Sequence, residues 1–493
     1  GVLLHPTALP GAPLCGTLGR PSRDWLRFLS EAGIRVWQFL PLSPTDSTGS
    51  PYSSPSAFAL NPWLLDVEDL AKDGFIPISE IDTFLKIETE EINRLDFKLL
   101  DQKVTRLSRI LRENWCSQNF DRHQSFSNWC DSQFWLDGYV QFKEISNQYD
   151  HMPWWKWPPQ YLNRQSVAID KLTNEFQKRL LEHKLIQWHL YRQWDVLQNY
   201  ASKLGIYLFG DMPFYVSRNS ADVWSNKELF SILPNGEIEI QSGVPPDYFS
   251  STGQLWGTPV YNWETHIKTN FRWWRERFKH QWDLYDFVRL DHFRALEAYW
   301  AVPGDKPSAE KGSWKKSPGK DLLTFLQKDF GESLPLIAED LGIITPAVES
   351  LRDQFKLPGM KILQFAFDGN QNNPYLPENI KGSYWVVYTG THDNATTLGW
   401  WNSLDQIEKE RVQSRIKDSS ESPVWQIIDM GLSTEASLFI APLQDLLELD
   451  NCARFNTPGT INNNWRWRIS SFDCFLEKSL KRYAEKSVFY GRT

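Results

Sequence analysis

Three features of the 493-residue sequence predict an α/β protein, a (β/α)8 barrel with large, mostly helical insertions in its loops. First, short apolar and β-branched runs alternate with helical stretches, and about eight such runs can be counted, as that barrel requires. Second, three of the runs end in carboxylates: residues 285–290 lead into Asp291, 335–338 into Glu339, and 385–390 into His392-Asp393. Parallel strands deliver side chains to one mouth of a barrel in this way. Third, a long amphipathic tract separates the second run from the third, which marks an insertion and not a barrel helix.

Taken in order, residues 1–5 hold a short apolar strand ending at His5, followed by a Pro/Gly loop. Residues 25–32 are predicted helical, and 34–40 form a second strand stopped by Pro41. Strand, loop, helix and strand make a parallel α/β unit. Residues 46–61, rich in Ser, Pro, Gly and Tyr, have loop chemistry. From 61 to 203 the pattern is helical: Ile92, Leu95, Leu99, Leu100, Val104, Leu107 and Leu111 recur at three- and four-residue steps, as do Phe176, Leu180, Leu181, Leu185, Trp188 and Tyr191. Within this tract, Trp154-Trp155-Lys156-Trp157-Pro158-Pro159 reads as a packed helix connection in preference to a sugar platform. Residues 205–210 restore strand character ahead of Asp211. Loop insertions are expected near 220–263 and 303–330, a helix at 264–280, and strands near 298–302, 336–339, 360–367 and 385–391. After Asn394 only helical segments, notably 436–449, and a loop at 454–468 are expected, with no C-terminal β-sandwich. The predicted division is 1–60 for the start of the barrel, 61–203 for the helical insertion subdomain and 204–493 for the rest of the barrel.

A net charge of −8 argues against nucleic acid or an anionic membrane as a partner, since both require a concentrated basic surface. No apolar run reaches the ~18 residues of a membrane span. The cysteines, Cys15, Cys116, Cys130, Cys452 and Cys474, are odd in number and form no CxxC pair, so neither a disulfide framework nor a zinc site is indicated. A reducing compartment fits, and the cytoplasm is expected. The apolar start without Met leaves the plastid stroma open as an alternative, if a transit segment has been removed. The 25 Trp, 17 Tyr and 29 Phe supply planes on which the C–H faces of sugar rings stack, which points to a carbohydrate partner.

Successive members of the set Asp211, Asp291, Glu339 and Asp393 stand 48 to 80 positions apart, so only the fold can bring them together. Cleaving a glycosidic bond requires one carboxyl to protonate the leaving oxygen and a second to attack C1 or activate water. Glu339, with the longer side chain and the higher ordinary pKa, suits the proton-shuttling role. Arg289, two residues before Asp291, lies on the same strand face and can keep that carboxylate ionised for nucleophilic attack. Asp393 can hold sugar hydroxyls and stabilise developing positive charge. His5, His292 and His392 with nearby Asp residues could be read as a metal cluster, but no HxH or HExxH spacing occurs, and no metal or other cofactor is expected.

The series Gly210-Asp211-Met212-Pro213, Arg289-Leu290-Asp291-His292-Phe293, Ala338-Glu339-Asp340-Leu341-Gly342 and Thr391-His392-Asp393-Asn394 resembles the four sequence regions of the α-amylase superfamily. Closer is the resemblance to the amylomaltase family, also called 4-α-glucanotransferase or disproportionating enzyme (glycoside hydrolase family 77). It is carried by Leu4-His5-Pro6-Thr7, Trp37-Gln38-Phe39-Leu40-Pro41-Leu42, Ser50-Pro51-Tyr52, Gly243-Val244-Pro245-Pro246-Asp247-Tyr248-Phe249-Ser250, Gly253-Gln254-Leu255-Trp256-Gly257 and Phe455-Asn456-Thr457-Pro458-Gly459-Thr460. The resemblance implies Asp291 as nucleophile, Glu339 as acid/base and Asp393 as transition-state stabiliser. It implies Asp211, Arg289 and His392 in the donor site, as it does His292 in sugar binding. Ser50, Tyr52, Gln254, Trp256, Asp368 and Asn456 match positions lining the glucan groove, with Phe249 on a loop covering it. Ala295, Ala395 and residues 15–20 depart from the family pattern. The implied activity is transfer of α-1,4-glucan segments between maltooligosaccharides, starch or glycogen, by a monomer or simple homodimer. The rival readings are an amylase-type hydrolase and a non-catalytic glucan-binding protein. A retaining mechanism requires Asp291 and Glu339 roughly 5–5.5 Å apart.

Overall fold

The computed structural model describes residues 1–11, 14–87, 89, 91–246, 252–416 and 420–492. Its strands are β1 Val2–Leu3, β2 Val36–Gln38, β3 Tyr207–Met212, β4 Ile240–Val244, β5 Gln254–Pro259, β6 Phe287–Leu290, β7 Ala298–Pro303, β8 Ser313–Lys316, β9 Leu336–Ala338, β10 Gly359–Ile362, β11 Trp385–Tyr388 and β12 Leu438–Pro442. Eight of these pair in parallel in the order β10-β11-β12-β1-β2-β3-β6-β9. Across the remaining gap, Ala338 N donates to Pro358 O at 2.8 Å, and the Asp340 carboxylate accepts from Met360 N at 2.7 Å, so the sheet closes into a barrel.

Strand periodicity then decides what the barrel holds. Leu3, Val36, Phe209, Ile337, Met360, Ile362, Val386, Tyr388 and Ile440 form an apolar cluster of their own in the bore, while the intervening residues Val2, Trp37, Leu208, Val288, Leu290 and Leu336 join the larger core outside it. Because successive side chains alternate, the residues two positions beyond the bore cluster face the same axis at the mouth. Phe209 leads to Asp211, Phe287 to Arg289 and Asp291, Ile337 to Glu339, and Tyr388 by two steps to His392.

Membership of the barrel differs from the sequence expectation, although the strand number agrees. Residues 298–302 are extended, but as β7 they belong to a separate antiparallel sheet of order β5-β4-β7-β8. The eighth barrel strand is β12, in a stretch expected to be helical. A five-residue apolar run has no period that separates a buried strand from a buried helix turn, and the short helix Leu443–Leu446 follows it at once. The expected loop at 303–330 contains β8 and the helix Gly319–Phe330. The expected helix at 264–280 is two helices, Trp263–Lys268 and Arg272–Leu284. Asn270 and Phe271 take left-handed backbone conformations (φ 51° and 56°) between them, which buries the Phe271 ring.

Between β2 and β3 the chain forms a group of helices, the longest being Phe97–Trp115 and Gln177–Lys203. Asp96 caps the first by accepting from Leu99 N at 3.0 Å, so Ile92 and Leu95 precede that helix, and Ile92 is exposed. Trp154 and Trp157 are buried, as a packed connection requires. The first barrel helix, Arg20–Glu31, starts earlier than expected because Pro21 fits its first turn. Among the described residues, no helix is long and apolar enough to cross a membrane.

Candidate active site

One guanidinium organises the barrel mouth. In the β3–β6 register Arg289 stands directly opposite Asp211, and its Nη1 donates to both Asp211 oxygens at 2.9 and 2.8 Å. Its Nη2 donates to Asp291 Oδ1 at 2.7 Å. Burial by itself opposes the charge on Arg289, but Asp211 and Asp291 hold its pKa well above the ordinary value. The two carboxylates differ in access: the Asp211 side chain is 2% exposed and the Asp291 side chain 33%. Asp211 is therefore a buried partner, whereas Asp291 faces the open mouth.

Glu339 is held by the end of the neighbouring strand β6 and by its own. His292 N donates to its Oε2 at 2.7 Å and Leu341 N to its Oε1 at 3.0 Å. His292 can aim its N–H at this carboxyl because its backbone is left-handed, with φ 52°. Burial first, then the charge of Asp291, raises the Glu339 pKa from 4.5 to about 8, against the pull of Arg289 and the two backbone amides. Neighbouring carboxyls in one site are thus set apart, one reachable and paired to a cation, the other proton-bearing at neutral pH. Burial likewise raises Asp211, with Arg289, His392 and Tyr52 opposing.

On the far side of the mouth, Tyr52 Oη donates to Asp211 Oδ2 at 2.6 Å, and its ring stacks on His392 at 4.9 Å and 15°. Ser50 Oγ accepts from Tyr52 N at 3.3 Å and so shapes that loop. Asn456 Nδ2 donates to Asp393 Oδ1 at 2.6 Å, and His392 Nε2 lies 3.4 Å from the same oxygen. Trp256, on β5, meets the His292 ring edge-on at 4.7 Å and 90°, and its indole N–H donates to Gln254 Oε1 at 3.3 Å. His292 is a neutral ring, since burial lowers its pKa to about 4.

Contacts of the described residues thus join Asp211, Arg289, Asp291, Glu339, His292 and Trp256, with Gln254 beyond it, and link Tyr52, Ser50, His392, Asp393 and Asn456 to the same mouth. Asp368 is exposed on the loop after β10, with its carboxylate accepting from Asn370 N at 2.9 Å and its carbonyl bonded to Arg411. Phe249 lies outside the described residues. His5 is a structural residue: its ring pairs with Thr7 Oγ1 at 2.7 Å and approaches Pro41 O at 3.4 Å. Among the described residues no group of three His, Cys, Asp or Glu side chains is placed to hold a metal.

Sequence reasoning missed Trp465 and Arg454. Trp465 packs at 5.8 Å from Tyr52 and 5.9 Å from His392, and Arg454 donates to Asp393 O at 2.5 Å. Both lie on an irregular segment with no strand to mark it; the Asn456 motif beside them was the available signal.

A family model described as 4-alpha-glucanotransferase matches residues 4–473. A 4-alpha-glucanotransferase of Synechocystis sp. is 42% identical over 475 residues, covering 95% of this chain and 93% of the relative. That of Thermus thermophilus is 41% identical, with 95% and 94% covered. A chloroplastic/amyloplastic 4-alpha-glucanotransferase of Arabidopsis thaliana is 39% identical, covering 100% of this chain and 85% of its own length. Among solved structures, an amylomaltase from Streptococcus agalactiae in complex with acarbose superimposes with a TM-score of 0.95 at 32% identity, over 100% of this chain and 99% of that one. The chain belongs to the 4-alpha-glucanotransferase family.

Proposed function

We propose that this 4-alpha-glucanotransferase moves α-1,4-glucan segments by a retaining double displacement on Asp291 and Glu339. The observation that carries the reading is the division of labour at the mouth: an accessible carboxylate paired with Arg289 beside a buried carboxyl whose pKa is about 8. Asp291 Oδ1 carries the arginine bond, and the other oxygen attacks C1 of the donor. The C1–O4 bond breaks as Glu339 gives its proton to the leaving oxygen, which leaves a glycosyl ester on Asp291. The 4-hydroxyl of an acceptor glucan then attacks C1, its proton passes to Glu339, and the Asp291 carboxylate departs. Atoms and charge return to their starting state.

Asp393, oriented by Asn456 and His392, stabilises positive charge on the sugar as the bond breaks. Tyr52 and His392 form one wall of the donor site, and Asp211 with Arg289 forms its floor. Gln254, Trp256, Ser50, Asp368 and Asn456 line the groove. Donor and acceptor are maltooligosaccharides, starch or glycogen. The working compartment is one that holds such glucans, the cytoplasm or the plastid stroma, and the unit is a monomer or simple homodimer.

Incubation with maltotriose tests the reading. A transferase yields glucose and a ladder of longer chains with the total of reducing ends constant. A rising total identifies a hydrolase and contradicts it.

A further inference from the structure

Of the twenty-five tryptophans, only Trp256 and Trp314 are exposed, at 38% and 39%; the others are buried or half-buried. Both belong to the antiparallel sheet inserted around the barrel mouth. Trp256 stands on edge strand β5 against His292. Trp314 stands on the opposite edge strand, β8, which runs three strand spacings or about 14 Å from β5.

The indole of Trp314 is held firmly. Its cross-strand partner Trp300 meets it at 5.2 Å and 66°, and the Trp300 N–H is itself fixed on Ala309 O at 2.8 Å. The Arg294 guanidinium lies 3.8 Å from the Trp314 ring centre and also donates to Ile343 O at 2.5 Å. Arg294 follows Asp291 by three residues, and Ile343 follows Glu339 by four. Trp314 is therefore tied to both loops that carry the reacting carboxylates, through the loop leaving Glu339. The group that protonates the leaving oxygen faces the leaving and acceptor side of the cleavage point.

An indole covered by the Arg294 guanidinium, packed at 66° against Trp300 and still 39% exposed has its apolar surface fixed in orientation. Such a plane beside a sugar site matches the C–H face of a pyranose ring. We propose that Trp314 is an acceptor-side sugar-binding residue that stacks on a glucosyl unit further along the acceptor chain than the attacking one, and so favours long α-1,4-glucan acceptors over glucose. The inference rests on the transferase reading above.

The test uses an α-maltotriosyl fluoride lacking its non-reducing 4-hydroxyl, so that it serves as donor only, with glucose, maltose or maltohexaose as acceptor. Trp314→Ala is expected to lower kcat/KM for maltohexaose about tenfold more than for glucose, chiefly through KM, and Trp314→Tyr to recover most of that loss. An equal loss for both acceptors, no loss for either, or a Trp314→Tyr variant as impaired as Trp314→Ala overturns the inference. A wild-type enzyme that releases fluoride without lengthening any acceptor overturns the transferase reading instead.

Discussion

Asp211 and Asp291 share the Arg289 guanidinium, yet their exposure of 2% and 33% gives them different work. The buried one can only orient, and the accessible one can react. Glu339 completes the set because its proton persists to about pH 8. Activity that needs this proton is expected to fall as pH rises through about 8, and a kcat/KM profile checks it. Glu339→Gln should lower transfer from unactivated glucans by roughly 10²–10⁴-fold and abolish that basic limb. The same shift has a stability consequence. A carboxyl whose folded pKa is raised binds more protons folded than unfolded, so between about pH 4.5 and 8 stability declines as pH rises. Denaturation of Glu339→Gln across this range should show a shallower decline than wild type.

The strands place these groups through a two-residue period, which makes their convergence legible in the sequence. Residues 209 and 211, 287, 289 and 291, and 337 and 339 each run from the bore to the mouth on one face. What escaped was set by tertiary contact. β7 and β12 are both short apolar runs, and only their neighbours decide that β12 lies between β11 and β1 while β7 pairs with β4 and β8. The break at Asn270 and Phe271 exists to bury a ring, which no local periodicity reports. Close packing at β3 also couples to chemistry. A Cβ at Gly210 would collide with the Tyr285 ring, immediately before Asp211. Gly210→Ala is expected to cost about 1–3 kcal/mol in urea unfolding and to lower activity with it, whereas an unchanged midpoint would show that the ring yields freely.

The barrel strands place Arg289, Asp291 and Glu339, and the insertions supply what surrounds them. The antiparallel sheet brings Trp256 to His292, and the segment after β12 brings Asn456, Arg454 and Trp465 to His392 and Asp393. Those last contacts span more than sixty residues and start from irregular backbone, so the Asn456 motif alone foretold them. Asp291 is proposed to carry the sugar between two chains. Mass spectrometry of Glu339→Gln incubated with the 4-deoxygenated maltotriosyl fluoride tests it most directly, since fluoride leaves without a proton while the slow second step lets the ester accumulate. A 4-deoxymaltotriosyl mass increment is expected on the peptide containing Asp291, lost in Asp291→Asn. An increment on another residue, or no increment while a product of inverted configuration forms, would contradict it.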